Sequence, residues 1–501
     1  MIITILKKQT ELYSNKSLFV YYLNIHMNHN KAYQRLTAYI LCAVLLLGNL
    51  PLASFSPPPA QAFSVGEERE VGEKLLSIIR KEFPLLDDPD LTEYVTNLGR
   101  QTLLLAGPQF FDYHFFIIDN KEFNAFAAPS GLIFIHSGLI DLCDTEGELV
   151  SVLAHEIGHA ASRHIADRIS KSGKVNATST ALMLAGLLLG QGALAQAVVT
   201  GSMAGGLTAN LKFSREDEEE ADRLAYKWMK EEKRDPADMV SMLKKMRRVS
   251  RYHRKQVPTY LLTHPEPENR IGYIDDLILQ DQQKKIQAPD EFAYQRFKYR
   301  VQALTRDTQS ILPILKNKAE EPGILQNDPM VFFGLSQIYL ANRDYQKAEE
   351  SLQKVITRFP DKPILKTDLG RIKFEAGETK KALEIFQEIK KQDPDEAYNT
   401  YYLAKALQQS GEPAKAVLIY ENLTERMPTY AKLYQEIGKI RAALGNTALG
   451  HYNLALYQYY EGSSLSARYH LDQALKGLSE RDPLLPKIKE LKDKIVRIDK
   501  M

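Results

Sequence analysis

The sequence predicts an α+β domain, mostly helical with a small sheet, followed by an all-α solenoid of helical repeats. Three observations lead to this prediction. Residues 63–285 mix strand-like and helix-like patterns of apolar residues. From about residue 290 onward, nearly every segment has helical periodicity. Several sets of residues in that second half recur every 34 positions, which is typical of a repeat array.

Runs of β-branched and aromatic residues predict the strands. YHFFIID, from Tyr113, and SGLIFIHSGLI, from Ser130, are two predicted strands, and KEFNAFAAPS leads into the second. EEREVGEKLLSIIRKEF, from Glu67, is predicted to be an amphipathic helix. A single long helix is predicted for TEGELVSVLAHEIGHAASRHIADRI, from Thr145, because its apolar residues have helical spacing.

The repeats of the second half are defined by residues that return at the same interval. Small residues let two helices approach, glycine suits the turn, and proline ends each unit because it cannot continue a helix. The recurring sets are Ala348, Ala382 and Ala416; Gly370, Ala404 and Gly438; Gly377, Gly411 and Gly445; and Pro360, Pro394 and Pro428. This pattern resembles the tetratricopeptide repeat, a helix–turn–helix unit.

The resemblance to tetratricopeptide repeats implies units at 329–362, 363–396 and 397–430, with a fourth from Ala431 and a capping helical pair. The array is predicted to span 329–480 in total. It would be preceded by a helical linker at 286–328 and followed by a C-terminal helix or tail at 481–501. Repeat stacks of this kind form concave surfaces that hold peptides or partner proteins.

Residues 1–62 are interpreted as a signal peptide region. An apolar run from Leu36 to Ala53 follows basic residues and precedes an Ala-x-Ala exit that ends at Ala62. Met27 is the better candidate for the translational start, because the residues before it do not fit such a signal. The alternative is an uncleaved membrane anchor. A cleaved chain would retain a single cysteine, Cys143, and therefore no internal disulfide.

The net charge and one uncharged run bear on whether the protein binds nucleic acid or a membrane. The net charge is +2, so no electrostatic footprint for nucleic acid is expected. The run 178–211 has no charged residue and is long enough to span a bilayer. Because glycines interrupt it repeatedly, it is interpreted as two short helices packed on the first domain. Peripheral membrane contact through this run is the alternative.

The stretch HEIGH predicts a metal site. On a helix, His155 and His159 stand four residues apart and therefore project from one face. Zinc favours nitrogen ligands, and catalytic zinc takes three protein ligands and leaves a place for water. Glu156 would take a proton from that water and pass it to a leaving amine. The alternative is an ordinary helix that happens to carry these residues.

A third ligand is expected on another helix. The best candidate segment is SREDEEEADRLAYKWM, from Ser214, whose acidic run covers residues 216–220. Spacing alone does not choose among Glu218, Glu219 and Glu220. A solvated helix N-terminus, where acidic residues favour the helix dipole, is the alternative interpretation and is compatible with one inward-facing acid.

HExxH followed about sixty residues later by ExxAD resembles the M48 family of zinc metallopeptidases, and in particular its periplasmic branch that carries tetratricopeptide repeats. The resemblance implies a zincin-type domain at 63–285 with one Zn²⁺ per chain. It implies that His155, His159 and Glu218 bind the metal and that Glu156 is the general base.

The same resemblance extends to residues around the metal ligands. Asp222 matches an acid that hydrogen-bonds a ligand histidine, and His164 is expected to support the site or to pack beside it. NAFAAPSGLIFIHSGL resembles the family's strand beside the active site. Asn124, Ala125 and Phe126 would then lie where an extended peptide substrate pairs with a sheet edge.

LLTHPEPENRI resembles a segment of the repeat-carrying members of the family. His264 matches a histidine that can reach the zinc as a fourth, inhibitory ligand. Arg270 matches a position that helps to polarise substrate or to hold the loop. A proline-rich turn that caps a helix is the alternative interpretation of this segment.

The function implied by the resemblance is a periplasmic zinc endopeptidase of a Gram-negative envelope. Its substrates would be misfolded or stalled outer-membrane proteins, and the repeats would recruit them or an outer-membrane assembly machine. The alternative is a chaperone or adaptor module whose peptidase domain is latent. A purely structural zinc is disfavoured, because such sites fill all four positions and usually use cysteine.

Overall fold

The computed structural model describes residues 63–171, 177–188, 212–252, 259–281, 290–476 and 478–500. All of them belong to one structural unit. The predicted fold class is confirmed. A small sheet lies among helices in the N-terminal part, and the elements described after residue 290 are all helices.

The sheet consists of β1 (His114–Ile118), β2 (Ala125–Ala128) and β3 (Leu132–His136), in the order β1-β3-β2. Strand β3 pairs with β1 in parallel and with β2 antiparallel. Both predicted strands are confirmed. The segment predicted only to lead into the second strand forms a strand of its own, so that β2 is an edge of the sheet.

The N-terminal helices surround this sheet. Ser64 and Ser214 each begin a helix with a capping box, in which the serine and the third helical residue satisfy each other's backbone N–H groups. The helices are α1 (Val65–Glu82), α2 (Pro89–Ala106), α3 (Ser137–Leu142), α4 (Glu146–Ala161), α5 (His164–Lys171), α6 (Ala177–Leu188), α7 (Arg215–Glu231), α8 (Ala237–Tyr252), α9 (Thr259–Thr263) and α10 (Pro267–Gln280).

The single long helix predicted from Thr145 is wrong in one respect, because the chain forms two helices there. Helix α4 ends at Ala161, and α5 begins at His164. Between them Arg163 has φ +55°, a left-handed conformation that ends the first helix. The physical reason is tertiary: the Arg163 guanidinium pairs with the buried carboxylate of Glu68 at 2.7 Å.

Only part of the uncharged run 178–211 lies in the described residues. Helix α6 covers its first part, whereas the second predicted short helix falls at 189–211, outside the described residues. Within the described ranges, every helix is too short or too polar to cross a membrane.

The C-terminal half is a succession of antiparallel helix pairs. Gly377, Gly411 and Gly445 lie at the turns within three pairs, with φ of 82°, 85° and 85°, which glycine adopts without strain. The helices are α11 (Phe292–Thr305), α12 (Thr308–Ala319), α13 (Ile324–Asn327), α14 (Met330–Ala341), α15 (Tyr345–Arg358), α16 (Ile364–Glu375), α17 (Thr379–Gln392), α18 (Ala397–Gln409), α19 (Pro413–Arg426), α20 (Ala431–Ala443), α21 (Thr447–Tyr460), α22 (Ser464–Leu475) and α23 (Leu485–Lys500).

Helix α11, which lies in the segment expected as a linker, is a buried centre of ion pairs. Arg296 pairs with Asp90 at 2.7 Å and with Asp368 of α16 at 2.8 Å. Arg300 pairs with Asp88, the N-cap of α2, at 2.9 Å and with Asp90 at 3.0 Å. All five residues are buried. We call them the interdomain ion network, because it joins the sheet-bearing part to the repeats.

The last repeats also contact helix α1. The Arg80 guanidinium donates to the carbonyl oxygen of Thr429 at 2.9 Å. The Lys74 ammonium donates to the carbonyl oxygen of Ile498, in the C-terminal helix α23, at 2.7 Å. Helix α1 is therefore shared between the core of the N-terminal part and the end of the repeat array.

We predict that Asp368→Ala destabilises the whole chain. The substitution takes one buried carboxylate away from both Arg296 and Arg300, and breaking a buried ion pair costs about 3–5 kcal/mol. Urea unfolding followed by circular dichroism should show an earlier midpoint. Lys347→Ala, at an exposed ion pair with Asp344, is the matched control and should leave the midpoint unchanged. Equal midpoints for the two variants would contradict the prediction.

Candidate metal centre

Helix α4 carries the HEIGH residues into the interior. His155, Glu156 and His159 are each at most 2% exposed. The helix starts at the N-cap Thr145, whose hydroxyl accepts from the backbone N–H of Glu148. Since every residue from Gly147 to His159 is buried, these polar side chains require partners inside the protein.

Four side chains from three elements converge at this point. Nε2 of His155 lies 3.0 Å from Nε2 of His159 and 3.3 Å from Nδ1 of His264. Oε1 of Glu218, from α7, lies 2.9 Å from Nδ1 of His264 and 3.5 Å from Nε2 of His159. These four atoms all lie within 4.8 Å of one another, so that one ion could contact them together.

The protonation states of two members of the cluster, His159 and Glu218, suit a metal ion. Burial lowers the pKa of His159 well below its usual value, which keeps the imidazole neutral. Burial alone would raise the pKa of Glu218, but His264 and Arg270 outweigh it and hold that pKa well below its usual value. Neutral imidazole and ionised carboxylate are the forms that bind metals. The donor set therefore fits a divalent transition metal.

Asp222 orients His155. Its Oδ1 lies 2.8 Å from Nδ1 of His155, the ring nitrogen that faces away from the cluster. Arg270 donates to both oxygens of Asp222, at 2.7 and 2.8 Å, and the Tyr273 hydroxyl donates to Oδ2. Another nitrogen of Arg270 lies 2.7 Å from Glu218. In the structure, Arg270 thus holds two carboxylates of the site together.

At the ring nitrogen that faces away from the cluster, His159 contacts a histidine instead of a carboxylate. Nδ1 of His164 lies 2.8 Å from Nδ1 of His159, and Nε2 of His164 lies 3.4 Å from Glu220. The ring of Phe213 stacks on His159, with centroids 3.9 Å apart. His164 is therefore in direct contact with a candidate ligand.

His264 is seated by an aromatic residue of its own helical turn. The ring of Tyr260 stacks on it with centroids 4.3 Å apart, and the carbonyl oxygen of Tyr260 accepts from the backbone N–H of His264 at 2.8 Å. Nε2 of His264 points toward Glu156, 3.6 Å from Oε1. The predicted fourth ligand is thus close to both the ligand cluster and the predicted base.

Glu156 is anchored on one side only. Its Oε2 accepts from the backbone N–H of Ala127, in β2, at 2.8 Å. Its Oε1 is buried, and the described residues offer it no hydrogen-bond partner. Asn124, Ala125 and Phe126 are buried at the start of β2, where the carbonyl oxygen of Asn124 accepts from the backbone N–H of His136.

The structure separates Glu218 from its acidic neighbours. Glu219 pairs with Arg223 on the surface, and Glu220 accepts from the hydroxyl of Ser162. Sequence reasoning did not identify the residues that position the site through contacts from other segments. They are Ala127, Phe213, Tyr260 and Tyr273. A helical spacing was available for Tyr260, four before His264, and for Tyr273, three after Arg270.

Comparison with known proteins identifies the class. Residues 88–278 match the family model described as Peptidase family M48. Residues 339–404 match the model described as Tetratricopeptide repeat. The chain therefore carries an M48 peptidase domain followed by tetratricopeptide repeats.

Particular relatives share this organisation. The beta-barrel assembly-enhancing protease of Escherichia coli O157:H7 is 34% identical over 232 residues, which are 46% of this chain and 47% of the relative. The protein of that name from Yersinia pestis is 30% identical and covers 59% of this chain and 61% of its own length. A putative one from Vibrio cholerae is 27% identical, with coverage of 65% and 69%. For the first of these relatives, the match spans about half of each chain.

We predict that Asp222→Asn weakens metal binding 10- to 100-fold, the usual effect of losing the partner that orients a ligand histidine. Zn²⁺ affinity would be measured by competition with a chromogenic chelator. Glu216→Gln, at an exposed acid of the same helix, is the control and should bind like the wild type. If the two variants bound Zn²⁺ equally well, Asp222 would have no orienting role.

Proposed function

We propose that this protein is a zinc-dependent endopeptidase of the bacterial envelope that cleaves misfolded or stalled outer-membrane proteins. The observation that carries the proposal is the convergence of His155, His159 and Glu218, with the carboxylate of Glu156 beside them. An M48 domain in the same segment supports it.

The three ligands would hold one Zn²⁺ per chain. When bound, zinc polarises the scissile carbonyl and lowers the pKa of a coordinated water. The chain's own contribution is the fixed geometry of the ligands. His155 is oriented by Asp222, and Glu218 is kept ionised beside Arg270.

Glu156 would be the general base. The hydrogen bond from Ala127 fixes Oε2, which leaves Oε1 free to take a proton from water and then to deliver it to the leaving amine. Because that bond comes from the backbone of β2, it fixes the position of the Glu156 carboxylate relative to this edge strand. A substrate strand paired along Asn124, Ala125 and Phe126 would therefore be placed relative to the base.

The resting site would be closed. A catalytic zinc needs an open position for water, and Nδ1 of His264 lies where a fourth ligand would bind. Its Nε2 also lies near the free oxygen of Glu156. Withdrawal of α9 would open the metal position and release the base at the same time, so that activity depends on movement of this short helix.

The repeats would recruit substrate or an outer-membrane assembly machine. The relatives named beta-barrel assembly-enhancing protease support this assignment, as does the interpretation of residues 1–62 as a signal for export to the periplasm. Peripheral membrane contact through the uncharged run at 178–211 is the alternative to packing of this run on the first domain.

An adaptor with a latent peptidase domain is the second candidate function, and the closure by His264 favours it. The two candidates differ in whether release of His264 yields turnover.

We predict that Glu156→Gln lowers cleavage by a factor of the order of 10²–10⁴, the usual contribution of a general base. The substrate would be a urea-denatured outer-membrane β-barrel protein diluted into buffer, with fragments quantified by electrophoresis. Zinc content should stay near one per chain. Because the wild type is latent, the substitution is also made in the His264→Ala background. Undiminished cleavage there would exclude Glu156 as the base.

We predict that His264→Ala raises the cleavage rate while zinc content is retained, since three ligands remain. His470→Ala, at a histidine in the last repeats, is the control and should leave the rate unchanged. Zinc bound without cleavage in either wild type or His264→Ala would favour the adaptor. Loss of zinc in His264→Ala would make His264 an obligatory ligand rather than a latch.

A further inference from the structure

The two histidines of HEIGH are held at their outer ring nitrogens by different chemistry. His155 faces the carboxylate of Asp222, whereas His159 faces a second imidazole, that of His164. His159 and His164 are 0% and 5% exposed, so water does not compete for this contact. Two imidazole nitrogens 2.8 Å apart form a hydrogen bond only if one carries hydrogen and the other a lone pair.

Metal binding decides which nitrogen is the donor. Nε2 of His159 faces Nε2 of His155 and the carboxylate of Glu218, so this atom would present its lone pair to the ion. Its hydrogen then sits on Nδ1 and is donated to Nδ1 of His164. His164 consequently carries its own hydrogen on Nε2, which faces the carboxylate of Glu220 at 3.4 Å.

We propose that His164 is a positioning residue for His159: it fixes the ring orientation and the tautomer of this ligand, and Glu220 fixes the tautomer of His164 in turn. The inference rests on the proposed metal site. Glu220 is 58% exposed, and its other oxygen accepts from the hydroxyl of Ser162 at 2.9 Å. The chain His159–His164–Glu220 therefore connects a fully buried ligand to the surface.

The contact requires the break between α4 and α5. In a continuous helix, residues five apart point roughly 140° away from each other, so His164 could not reach His159. The left-handed residue Arg163, with φ +55°, turns the chain and brings His164 back onto the ligand. Strained backbone of this kind persists only where the surroundings enforce it.

The enforcing contacts come from the start of α1. Nε and Nη2 of Arg163 lie 2.9 and 2.7 Å from Oε2 of Glu68, and Nη2 also donates to the carbonyl oxygen of Phe63 at 2.9 Å. Glu68 is 5% exposed, so its carboxylate is shielded from water. The break is therefore part of the fold, and its consequence is the placement of His164.

The test compares His164→Leu with His164→Asn in the full chain. Zn²⁺ affinity is measured by chelator competition, which needs no cleavage assay. We expect a 10- to 100-fold loss for leucine, which cannot accept the hydrogen of His159. We expect affinity close to the wild type for asparagine, whose amide oxygen can accept it.

A second pair of variants avoids the buried position. Glu220→Gln should weaken Zn²⁺ binding, because the amide can donate to Nε2 of His164 and favour the other tautomer of that ring. The loss should be smaller than for His164→Leu. Glu219→Gln, at the adjacent acid paired with Arg223, is the matched control and should bind like the wild type. Circular dichroism of the metal-free proteins checks that all variants fold.

The outcomes separate the two proposals. Wild-type affinity in His164→Leu, or equal losses for leucine and asparagine, would overturn the positioning role. If His164→Leu does not fold, equal affinity of Glu220→Gln and Glu219→Gln would overturn it. Absence of cleavage in the unlocked His264→Ala chain would contradict the proposed function and leave the affinity result intact.

Discussion

Burial of charge at the candidate metal centre is the constraint on which the N-terminal part depends. Glu156, Glu218 and Asp222 are all 1–2% exposed, and a buried carboxylate is tolerated only with a charge or hydrogen-bond partner. Each partner arrives from a different element. Helix α10 supplies Arg270, β2 supplies the backbone N–H of Ala127, and the residue directly after α9 is His264. The relative positions of four helices and a strand are thus set by the need to satisfy a few polar atoms.

A second buried network ties this arrangement to the repeats. The interdomain ion network places two guanidinium groups of α11 among carboxylates from α2 and α16. The same helix contributes Tyr294 and Phe297 to the apolar core of the N-terminal part. The repeats are therefore built onto the peptidase domain through a shared helix.

Sequence patterns were sufficient for features set by neighbouring residues. The 34-residue interval predicted the fold class of the second half, and the four-residue spacing predicted that His155 and His159 would share a face. Features set by distant contacts were not predictable. The break at Arg163 depends on Glu68, which lies 95 positions away, and the seat of His264 depends on packing around Tyr260. The choice of Glu218 as a ligand rested on family resemblance. In the structure, one face of α7 buries both Glu218 and Asp222. The signal peptide region stays a prediction.

Helix α1 has a consequence for how such proteins diversify. Near its start, Glu68 holds Arg163 in place beside the candidate metal ligands, and further along the helix Lys74 and Arg80 donate to the carbonyl oxygens of Ile498 in α23 and of Thr429 in the repeat array. A recombination event that exchanged only the repeats would leave α1 facing an unmatched surface. The peptidase domain and its repeats are therefore expected to be inherited together, and new partner specificity would arise by point substitution within the array rather than by exchange of modules.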